Sequence, residues 1–330
     1  MKKLMMLLAV IGLSMVSYAQ IMVATLQHGD SLRVFYYANA FVDAYNAAVA
    51  GDVITLSEGS FTTCTINKDS LTIRGAGIDK TFLPSQFDLG SYTNPAIHSI
   101  TMEGIYCGGR ITQYSDVKVN FMNMRFKCYY GNSGNNAATT NGEFVNCIVD
   151  RFEPHYGTPT FINCLVNAFG GNSKETYVNC VVSGNYYYDN KSFINSILVY
   201  TYQTSSSLTL SSTTLAQNCI CVTENTMSGN AFSQCVNQNS RMADRSIFSN
   251  FGLDALDPER YRLTDSAQAA YLGADGTQVG LYGGFCPYSN ASAYPLISRM
   301  NVAKQTTADG KLSVDIQVGY RQESESEDNE

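Results

Sequence analysis

The chain has 330 residues and a formal net charge of −7, and only 15% of its residues are charged. That acidic balance argues against nucleic acid and anionic membrane surfaces as partners. Residues that favour strands are abundant, with 22 Tyr and 16 Phe, whereas there are only 7 Pro. The composition therefore predicts a β-rich protein of one or two domains.

The first 19 residues have the three parts of a secretory signal peptide. Lys2 and Lys3 give a positive start, residues 4–16 are apolar, and Ser17 and Ala19 place small residues before a cleavage site. The apolar stretch is too short to span a bilayer comfortably, and no later stretch approaches the length of a membrane helix. We therefore expect an exported protein that is periplasmic, on the cell surface or extracellular. Its mature chain would begin with a lead-in over residues 20–37.

Residues 40–81 carry a series of motifs. An amphipathic segment at 41–49 precedes G-D-V-I-T-L at 51–56, G-S-F at 59–61 and L-T-I-R-G-A-G at 71–77. This series resembles the opening of the pectin-lyase-like superfamily of right-handed parallel β-helices, in which a capping helix covers the open end of the coil. Capping matters because an uncovered last strand exposes unpaired backbone groups. Residues 261–284 are similar to the last coils of such proteins, so the resemblance implies a β-helix over residues 38–288.

One short motif repeats along the middle of the chain. FVNCIV at 144–149 returns as FINCLV at 161–166, YVNCVV at 177–182 and FINSILV at 193–199. Aligned on the central polar residue, the anchors of the repeat are Asn123, Asn146, Asn163, Asn179, Asn195, Asn218 and Gln234. Repeats this short are typical of stacked architectures, in which each unit buries its apolar face only against its neighbours. The alternative is a sandwich of antiparallel hairpins, but hairpins would not place the same residue at the same phase of consecutive strands.

The repeat also predicts which side chains stack. Neighbouring strands lie about 4.8 Å apart, so equivalent residues form columns along the coil. An Asn at each anchor suits a left-handed bend and hydrogen bonds to its counterparts in adjacent coils. The aromatic residue two positions earlier is expected inside.

Cysteines follow the same repeat. Five of the ten directly follow an anchor, namely Cys147, Cys164, Cys180, Cys219 and Cys235. A disulfide framework rarely repeats one local context, so we predict a stacked column of buried thiols. The pairing of the other five stays open: Cys64, Cys107, Cys128, Cys221 and Cys286.

The pattern changes after Pro287. Two alternating runs within 296–318 flank Asp309 and Gly310, which is a hairpin signal. Residues 289–320 are therefore predicted to form a small β-hairpin appendage that packs on the last coil or contacts a partner protein. Residues 321–330 are acidic and are expected to be a disordered tail. The predicted fold is all-β: a right-handed single-stranded parallel β-helix with an N-terminal capping helix and this C-terminal β-hairpin appendage.

Aromatic residues recur six or seven positions after the anchors. If the coils stack, these residues form a stripe on one flank that suits a polysaccharide, because the apolar faces of sugar rings pack on aromatic planes. The predicted ligand-binding residues are Tyr129, Tyr130, Phe152, Tyr156, Tyr186, Tyr187 and Tyr202. The alternative is that the stripe is itself interior and serves stability.

The best polar cluster is D-R-F-E-P-H-Y at 150–156. It gathers carboxylates, a guanidinium and an imidazole on one predicted turn, and such groups orient an acidic sugar or transfer a proton. The candidate catalytic residues are Asp150, Arg151, Glu153, His155, Lys174 and Lys191. The alternative is a solvated turn with ordinary ion pairs. No Cys and His spacing predicts a metal site, and no motif predicts a cofactor.

Three functional hypotheses follow. The first is non-catalytic binding of an extracellular or cell-surface polysaccharide along the aromatic flank. The second, which the resemblance implies because the superfamily includes pectate and alginate lyases and polygalacturonases, is a lyase or hydrolase acting on a uronate-containing glycan. No spacing proposes the facing carboxylates that glycoside hydrolysis needs, and fold alone is weak evidence for activity. The third is a structural or adhesive surface protein.

Overall fold

The computed structural model describes residues 22–91, 97–114, 116–131, 138–170, 173–183, 189–200, 210–223, 230–289, 296–302 and 314–319. The predicted signal peptide, the acidic tail and the predicted turn at Asp309 and Gly310 lie outside these residues. Within the described part of the chain, no helix is long and apolar enough to cross a membrane.

Most elements are short strands separated by bends, as the repeat predicts. The first half of the chain forms β1 (Val23–His28), β2 (Ser31–Tyr36), α1 (Ala40–Ala47), β3 (Val53–Leu56), β4 (Gly59–Ser60), β5 (Leu71–Arg74), β6 (Thr81–Leu83), β7 (Phe87–Leu89), β8 (Ser99–Glu103), β9 (Tyr106–Gln113), β10 (Val117–Met122), β11 (Arg125–Gly131), β12 (Thr139–Val145) and β13 (Ile148–Glu153). The second half forms β14 (Tyr156–Gly157), β15 (Thr160–Ile162), β16 (Leu165–Phe169), β17 (Thr176–Val178), β18 (Val181–Ser183), β19 (Ser192–Ile194), β20 (Ile197–Tyr200), β21 (Leu215–Gln217), β22 (Ile220–Thr223), β23 (Val236–Gln238), β24 (Arg241–Ala243), α2 (Asp265–Ala270), β25 (Leu296–Val302) and β26 (Val314–Gly319). Two 3-10 helices, Arg245–Ile247 and Pro258–Tyr261, precede α2.

Two long sheets form the walls of a parallel β-helix. Sheet A runs in the order β2-β1-β3-β5-β8-β10-β12-β15-β17-β19-β21-β23, with β14 added beside β12. Sheet B runs β4-β6-β9-β11-β13-β16-β18-β20-β22-β24, with β7 added beside β9. From β3 to β24 the strands alternate between the sheets, except that β7 follows β6 in sheet B and β15 follows β14 in sheet A, and neighbouring strands of this range pair in parallel. The all-β parallel β-helix predicted from the repeat is therefore confirmed, and β25 and β26 pair as an antiparallel two-stranded unit.

The repeated Asn residues form the bends between sheet A and sheet B. Their φ angles lie between 49° and 52°, in the left-handed region, at Asn123, Asn146, Asn163, Asn179, Asn195 and Asn218. Asn tolerates this conformation better than other non-glycine residues, which explains why it recurs there. The last predicted anchor, Gln234, is wrong: Gln217 pairs with Gln238, and Asn239, with φ 61°, continues the column.

Aromatic rings fill the centre of the coil as one column. Phe144 stacks on Phe161 with ring centroids 4.6 Å apart, Phe161 on Tyr177 at 5.0 Å, and Tyr177 on Phe193 at 5.2 Å. The planes of these pairs are inclined by only 11–14°, and all four side chains are buried. Each aromatic pair contributes about 0.5–1.5 kcal/mol beyond its buried area, so the column stabilises the coil along its axis.

The predicted column of thiols is present beside the bends. The Cys147 amide donates to Cys164 Sγ at 3.3 Å, and the Cys164 amide donates to Cys180 Sγ at 3.4 Å. The Cys180 amide donates to Ser196 Oγ at 3.1 Å, so a hydroxyl replaces the thiol in the next coil. All ten cysteines are free. Cys235 lies outside the column because Ser240 occupies the matching position against Cys219.

The N-terminal end of the coil is closed by a hairpin and a helix. The lead-in forms β1 and β2, which extend sheet A, and β1 is antiparallel to both of its neighbours, β2 and β3. Phe41, Ala44 and Tyr45 of α1 are buried, as expected for the predicted capping helix. Lys68 Nζ donates to the carbonyls of residues 45, 46 and 48 at 2.5–2.9 Å. These bonds supply a donor to carbonyls at the C-terminus of the helix, where intrahelical partners run out.

Residues 244–288, here called the covering segment, add no further strands to the two sheets. They pack on the outer face of sheet B, where one outward residue of each coil is apolar and buried: Ile148, Leu165, Val181, Ile197 and Ile220. From the covering segment, Phe248, Tyr261, Leu263, Val279 and Leu281 join that second apolar cluster. The similarity of 261–284 to terminal coils thus corresponds to a different structure: a segment that runs back along the coil.

The repeated Asn residues, here called the Asn column, were expected to hydrogen-bond to one another. Most of their side-chain hydrogen bonds are instead with the covering segment. Asn163 Nδ2 donates to the Leu281 and Gly283 carbonyls at 2.8 and 2.7 Å. The Ala274 amide donates to Asn195 Oδ1 at 3.2 Å. Between adjacent coils, Asn218 Nδ2 reaches Asn195 Oδ1 at a longer 3.4 Å. A Cβ at Gly284, where φ is 77°, would lie 2.9 Å from the side-chain Cγ of Asn179, so glycine permits this close approach.

Candidate functional site

The outer face of sheet B is left uncovered on strands β9 and β11. Cys107, Phe126 and Tyr129 of these strands point into the coil and are buried. The alternate residues face outward because side chains alternate along a strand. We call this surface the Arg–Tyr face, and it consists of Tyr106, Arg110, Arg125, Lys127 and Tyr130. Arg110 and Lys127 are exposed, and the other three are half-buried.

Each arginine of the Arg–Tyr face lies against a tyrosine of the neighbouring coil. The Arg125 guanidinium carbon is 5.3 Å from the centre of the Tyr106 ring, and β11 pairs with β9 so that these two residues are direct neighbours. The Arg110 guanidinium carbon is 5.5 Å from the centre of the Tyr130 ring. Such contacts hold the guanidinium planes in place while their N–H donors stay accessible.

A shallow cleft opens beside these pairs, between sheet B and the covering segment. Its volume is about 180 Å³, and its lining includes Tyr106, Arg125, Lys127, Asp150 and Leu256. Asp150 Oδ1 accepts a hydrogen bond from Asn167 Nδ2 at 3.1 Å. Neither Arg125 nor Lys127 forms an ion pair with another described residue, so the cleft presents two cations to a ligand.

Three of the predicted polar residues join this surface, but on a strand and not on a turn. Asp150, Arg151 and Glu153 belong to β13. Arg151 Nη2 lies 2.7 Å from Glu153 Oε1. Burial and the Glu153 carboxylate raise the pKa of the Cys128 thiol, and Arg151 and Arg110 partly offset that rise. Asp150, Arg151 and Glu153 therefore lie around Cys128. The negative charge of Glu153 is already compensated by its ion pair with Arg151.

The remaining catalytic candidates lie elsewhere. His155 stacks on Tyr156 with ring centroids 4.8 Å apart and planes 16° from parallel. Tyr156 is 48% exposed and belongs to β14 of sheet A. Lys174 is exposed. His155, Tyr156 and Lys174 do not line the cleft beside the Arg–Tyr face.

Lys191, the last of the catalytic candidates, is not exposed. It is buried inside the coil, where it forms an ion pair with Glu175 of the previous coil. Thr176 pairs with Ser192, so the residues before them are stacked. Glu175 and Lys191 each lie four positions before an anchor Asn, and their side chains point into the coil. Lys191 is therefore a structural residue and has no access to a substrate.

Two of the predicted ligand-binding aromatics are also interior, which corrects the proposed stripe. Tyr129 and Phe152 are fully buried, with ring centroids 5.2 Å apart, and Phe152 packs on Phe161 at 4.8 Å. The Tyr129 hydroxyl donates to Gln113 Oε1 at 2.5 Å. The register of β11 against β9 shifts between Phe126 and Cys128, which turns Tyr129 inward. Tyr130 lies on the Arg–Tyr face, whereas Tyr186, Tyr187 and Tyr202 lie outside the described residues.

Sequence reasoning missed Tyr106, Arg110, Arg125 and Lys127. The signal was present in R-F-K at 125–127, where outward cations alternate with an inward Phe. These residues do not belong to the series of aromatics that lies at one distance from each anchor. Alternation along each strand would have separated the two faces.

No group of three or more His, Cys, Asp and Glu side chains among the described residues is arranged to hold a metal ion. Comparison of the chain with family models, curated proteins and solved structures gave no match.

Proposed function

We propose that the protein is an exported, non-catalytic β-helix that binds an anionic polysaccharide through the Arg–Tyr face. The observation that carries the proposal is the pair of guanidinium groups set on tyrosine rings in adjacent coils, with Lys127 beside them. Arginine recognises carboxylate and sulfate oxygens through paired N–H donors. Partly exposed tyrosines provide apolar ring surface and a hydroxyl. Together these groups suit acidic sugars.

The resemblance of residues 40–81 to the pectin-lyase-like superfamily supports the same class of ligand. Members of that superfamily act on uronate polymers, and their ligands lie along an exposed strand face. The analogy concerns the ligand class alone, because fold does not carry activity. Export rests on the predicted signal peptide.

The carboxylates near the Arg–Tyr face favour binding over catalysis. Glu153 is held by Arg151, and Asp150 accepts a hydrogen bond from Asn167. Burial raises the pKa of Asp88, and Arg110 and Thr112 partly offset this, so that group is engaged with its neighbours as well. A general acid or base must come within hydrogen-bond reach of the proton that it transfers, and the contacts of Glu153 and Asp150 are with side chains of the protein itself.

The test is binding of polygalacturonate by isothermal titration calorimetry at several salt concentrations. The variant Arg110→Gln/Arg125→Gln/Lys127→Gln should weaken binding at least ~10-fold, since charged hydrogen bonds contribute about 1.5–3 kcal/mol each. The matched control Arg33→Gln/Lys80→Gln/Lys118→Gln makes the same change in net charge at exposed positions elsewhere and should bind like the unmodified protein.

Three results would oppose the proposal. Equal affinity of the two triple variants would show that the Arg–Tyr face is not the binding surface. Formation of unsaturated or reducing products from polygalacturonate would favour the lyase or hydrolase hypothesis over non-catalytic binding. A protein that binds no anionic polysaccharide would leave the structural or adhesive hypothesis.

A further inference from the structure

The Asn column changes its surroundings near the C-terminal end of the coil. From Asn146 to Asn195 its side chains contact the covering segment: Asn146 Nδ2 reaches Cys286 Sγ at 3.6 Å, and Asn163 and Asn195 bond backbone groups. Asn side chains of this column therefore already bind carbonyl and N–H groups in the backbone of the covering segment. Asn218 and Asn239 follow in the last two coils, where they line a pocket together with Tyr271, Leu272 and Val279 of that segment.

That pocket lies between β22, β24 and the α2 end of the covering segment. Its volume is about 450 Å³, within the range of about 300–1,000 Å³ that small-molecule sites usually show. One side is polar and is formed by Asn218, Asn239 and Arg241. The other side is formed by Leu272 and Val279. Leu272 is 50% exposed, so the pocket offers apolar surface to an incoming group.

Arg241 is fixed for recognition. Its guanidinium carbon lies 4.3 Å from the centre of the Tyr271 ring, and Nη2 donates to the Ala270 carbonyl. A guanidinium has five N–H donors, so this bond leaves donors for an anion. Asn239 has φ 61° and is exposed. Because its side chain is exposed, a ligand can reach the amide without displacing other protein groups. A fixed guanidinium beside amides and an apolar wall matches a sugar ring that carries a carboxylate.

We propose that this pocket, called here the Arg241 pocket, is a second binding site that takes a short uronate oligosaccharide, such as the end of a polysaccharide chain. The inference rests on the proposed function for its ligand class but uses different residues. Arg125 and Arg241 stand in one outward column of sheet B, connected through Ile148, Leu165, Val181, Ile197 and Ile220. Six coil steps at about 4.8 Å separate the two arginines by roughly 29 Å, so the two sites bind separate parts of a ligand.

The experiment measures binding of tri-galacturonate by calorimetry to the full chain in which Arg110→Gln/Arg125→Gln/Lys127→Gln removes the charges of the Arg–Tyr face, and to further variants of that chain. Asn239→Gly removes the amide but keeps the left-handed bend that glycine adopts freely, and Arg241→Gln removes the charge. Each should weaken binding at least ~10-fold. The control Asn190→Gly makes the same change at another exposed left-handed position, with φ 57°, and should leave the affinity unchanged. Reduction of the ligand carboxylates to alcohols should abolish binding.

The outcomes separate this inference from the proposed function. If tri-galacturonate binds equally well to the Asn239→Gly, Arg241→Gln and control variants, the Arg241 pocket is not the site. The proposed function still stands in that case if the triple variant of the Arg–Tyr face loses polygalacturonate. If the reduced trisaccharide binds as well as the acid, the uronate class is wrong. Asn239→Gly removes no hydrogen bond seen among the described residues, so this variant should fold, and thermal unfolding checks that it does.

Discussion

The ion pair inside the coil gives the sharpest stability prediction. Glu175 and Lys191 are both buried, and Lys191 Nζ also donates to the Ser173 carbonyl at 2.7 Å. The Ser173 hydroxyl donates to the Glu175 carboxylate. Lys191→Met replaces the cation by an apolar side chain and leaves the carboxylate buried without it. Breaking a buried pair in this way costs about 3–5 kcal/mol, so the variant should be less stable by that amount at pH 7.

The sign of the pH dependence follows from Glu175. Burial raises the pKa of Glu175 above its usual value, and Lys191 and Ser173 lower it in part. Removal of Lys191 therefore raises the pKa further. The folded chain then holds a proton that the unfolded chain has lost, and the free energy of unfolding falls as pH rises from the usual Glu value through the raised one. The cost of Lys191→Met should be smaller near pH 4, about the ordinary pKa of Glu.

A matched variant identifies the cause. Glu175→Gln/Lys191→Met removes the charge that lacks a partner and should recover most of the lost stability at pH 7. Thermal unfolding followed by circular dichroism should show the melting temperature of Lys191→Met lowered by roughly 4–8 °C, since an unfolding entropy of about 2.1 cal/mol/K per residue makes each kcal/mol worth about 1.5 °C in a chain of 330 residues. The exposed control Lys118→Met should change stability by less than about 0.5 kcal/mol.

The reasoning fails if Lys191→Met and the double variant are equally destabilised at pH 7. That result would assign the cost to packing of the Met side chain and not to the Glu175 charge. A cost that is the same at pH 4 and pH 7 would lead to the same conclusion.

Three further predictions concern the column of rings, the covering segment and the capping helix. Phe161→Ala opens the buried aromatic column and should cost about 3–5 kcal/mol in urea unfolding, whereas Phe285→Ala, at a ring 85% exposed, should cost almost nothing; equal costs would contradict the column. Asn163→Gly keeps the bend but removes two hydrogen bonds to the covering segment. Limited proteolysis should therefore cleave residues 244–288 sooner in this variant than in the control Asn123→Gly. Equal cleavage rates would show that these bonds do not hold the segment. Lys68→Met leaves three carbonyls at the end of α1 without their donor and should cost about 1–3 kcal/mol in thermal unfolding; an unchanged melting temperature would show that water replaces the lysine at no cost.

The sequence determined the coil itself. Each bend is a local event, since the left-handed conformation of Asn146 or Asn163 is set by that residue and its neighbours. Once the bends recur at one phase, strand spacing alone stacks Phe144 on Phe161. The column of thiols follows from the same phase, one position later. Short-range preference and repetition were therefore enough to predict these features.

Which side chains face the solvent depends on the tertiary structure. Whether Tyr129 or Tyr130 faces outward depends on a register shift against the neighbouring strand, which the repeat does not encode. Glu175 and Lys191 look like surface charges in sequence and become interior partners only when adjacent coils align. The covering segment has no repeat, and its position depends on apolar contacts with strands far away in the chain. It divides the outer face of sheet B into the Arg–Tyr face and the Arg241 pocket. Both sites arise from contacts between distant residues, and such contacts depend on the folded arrangement of the whole coil.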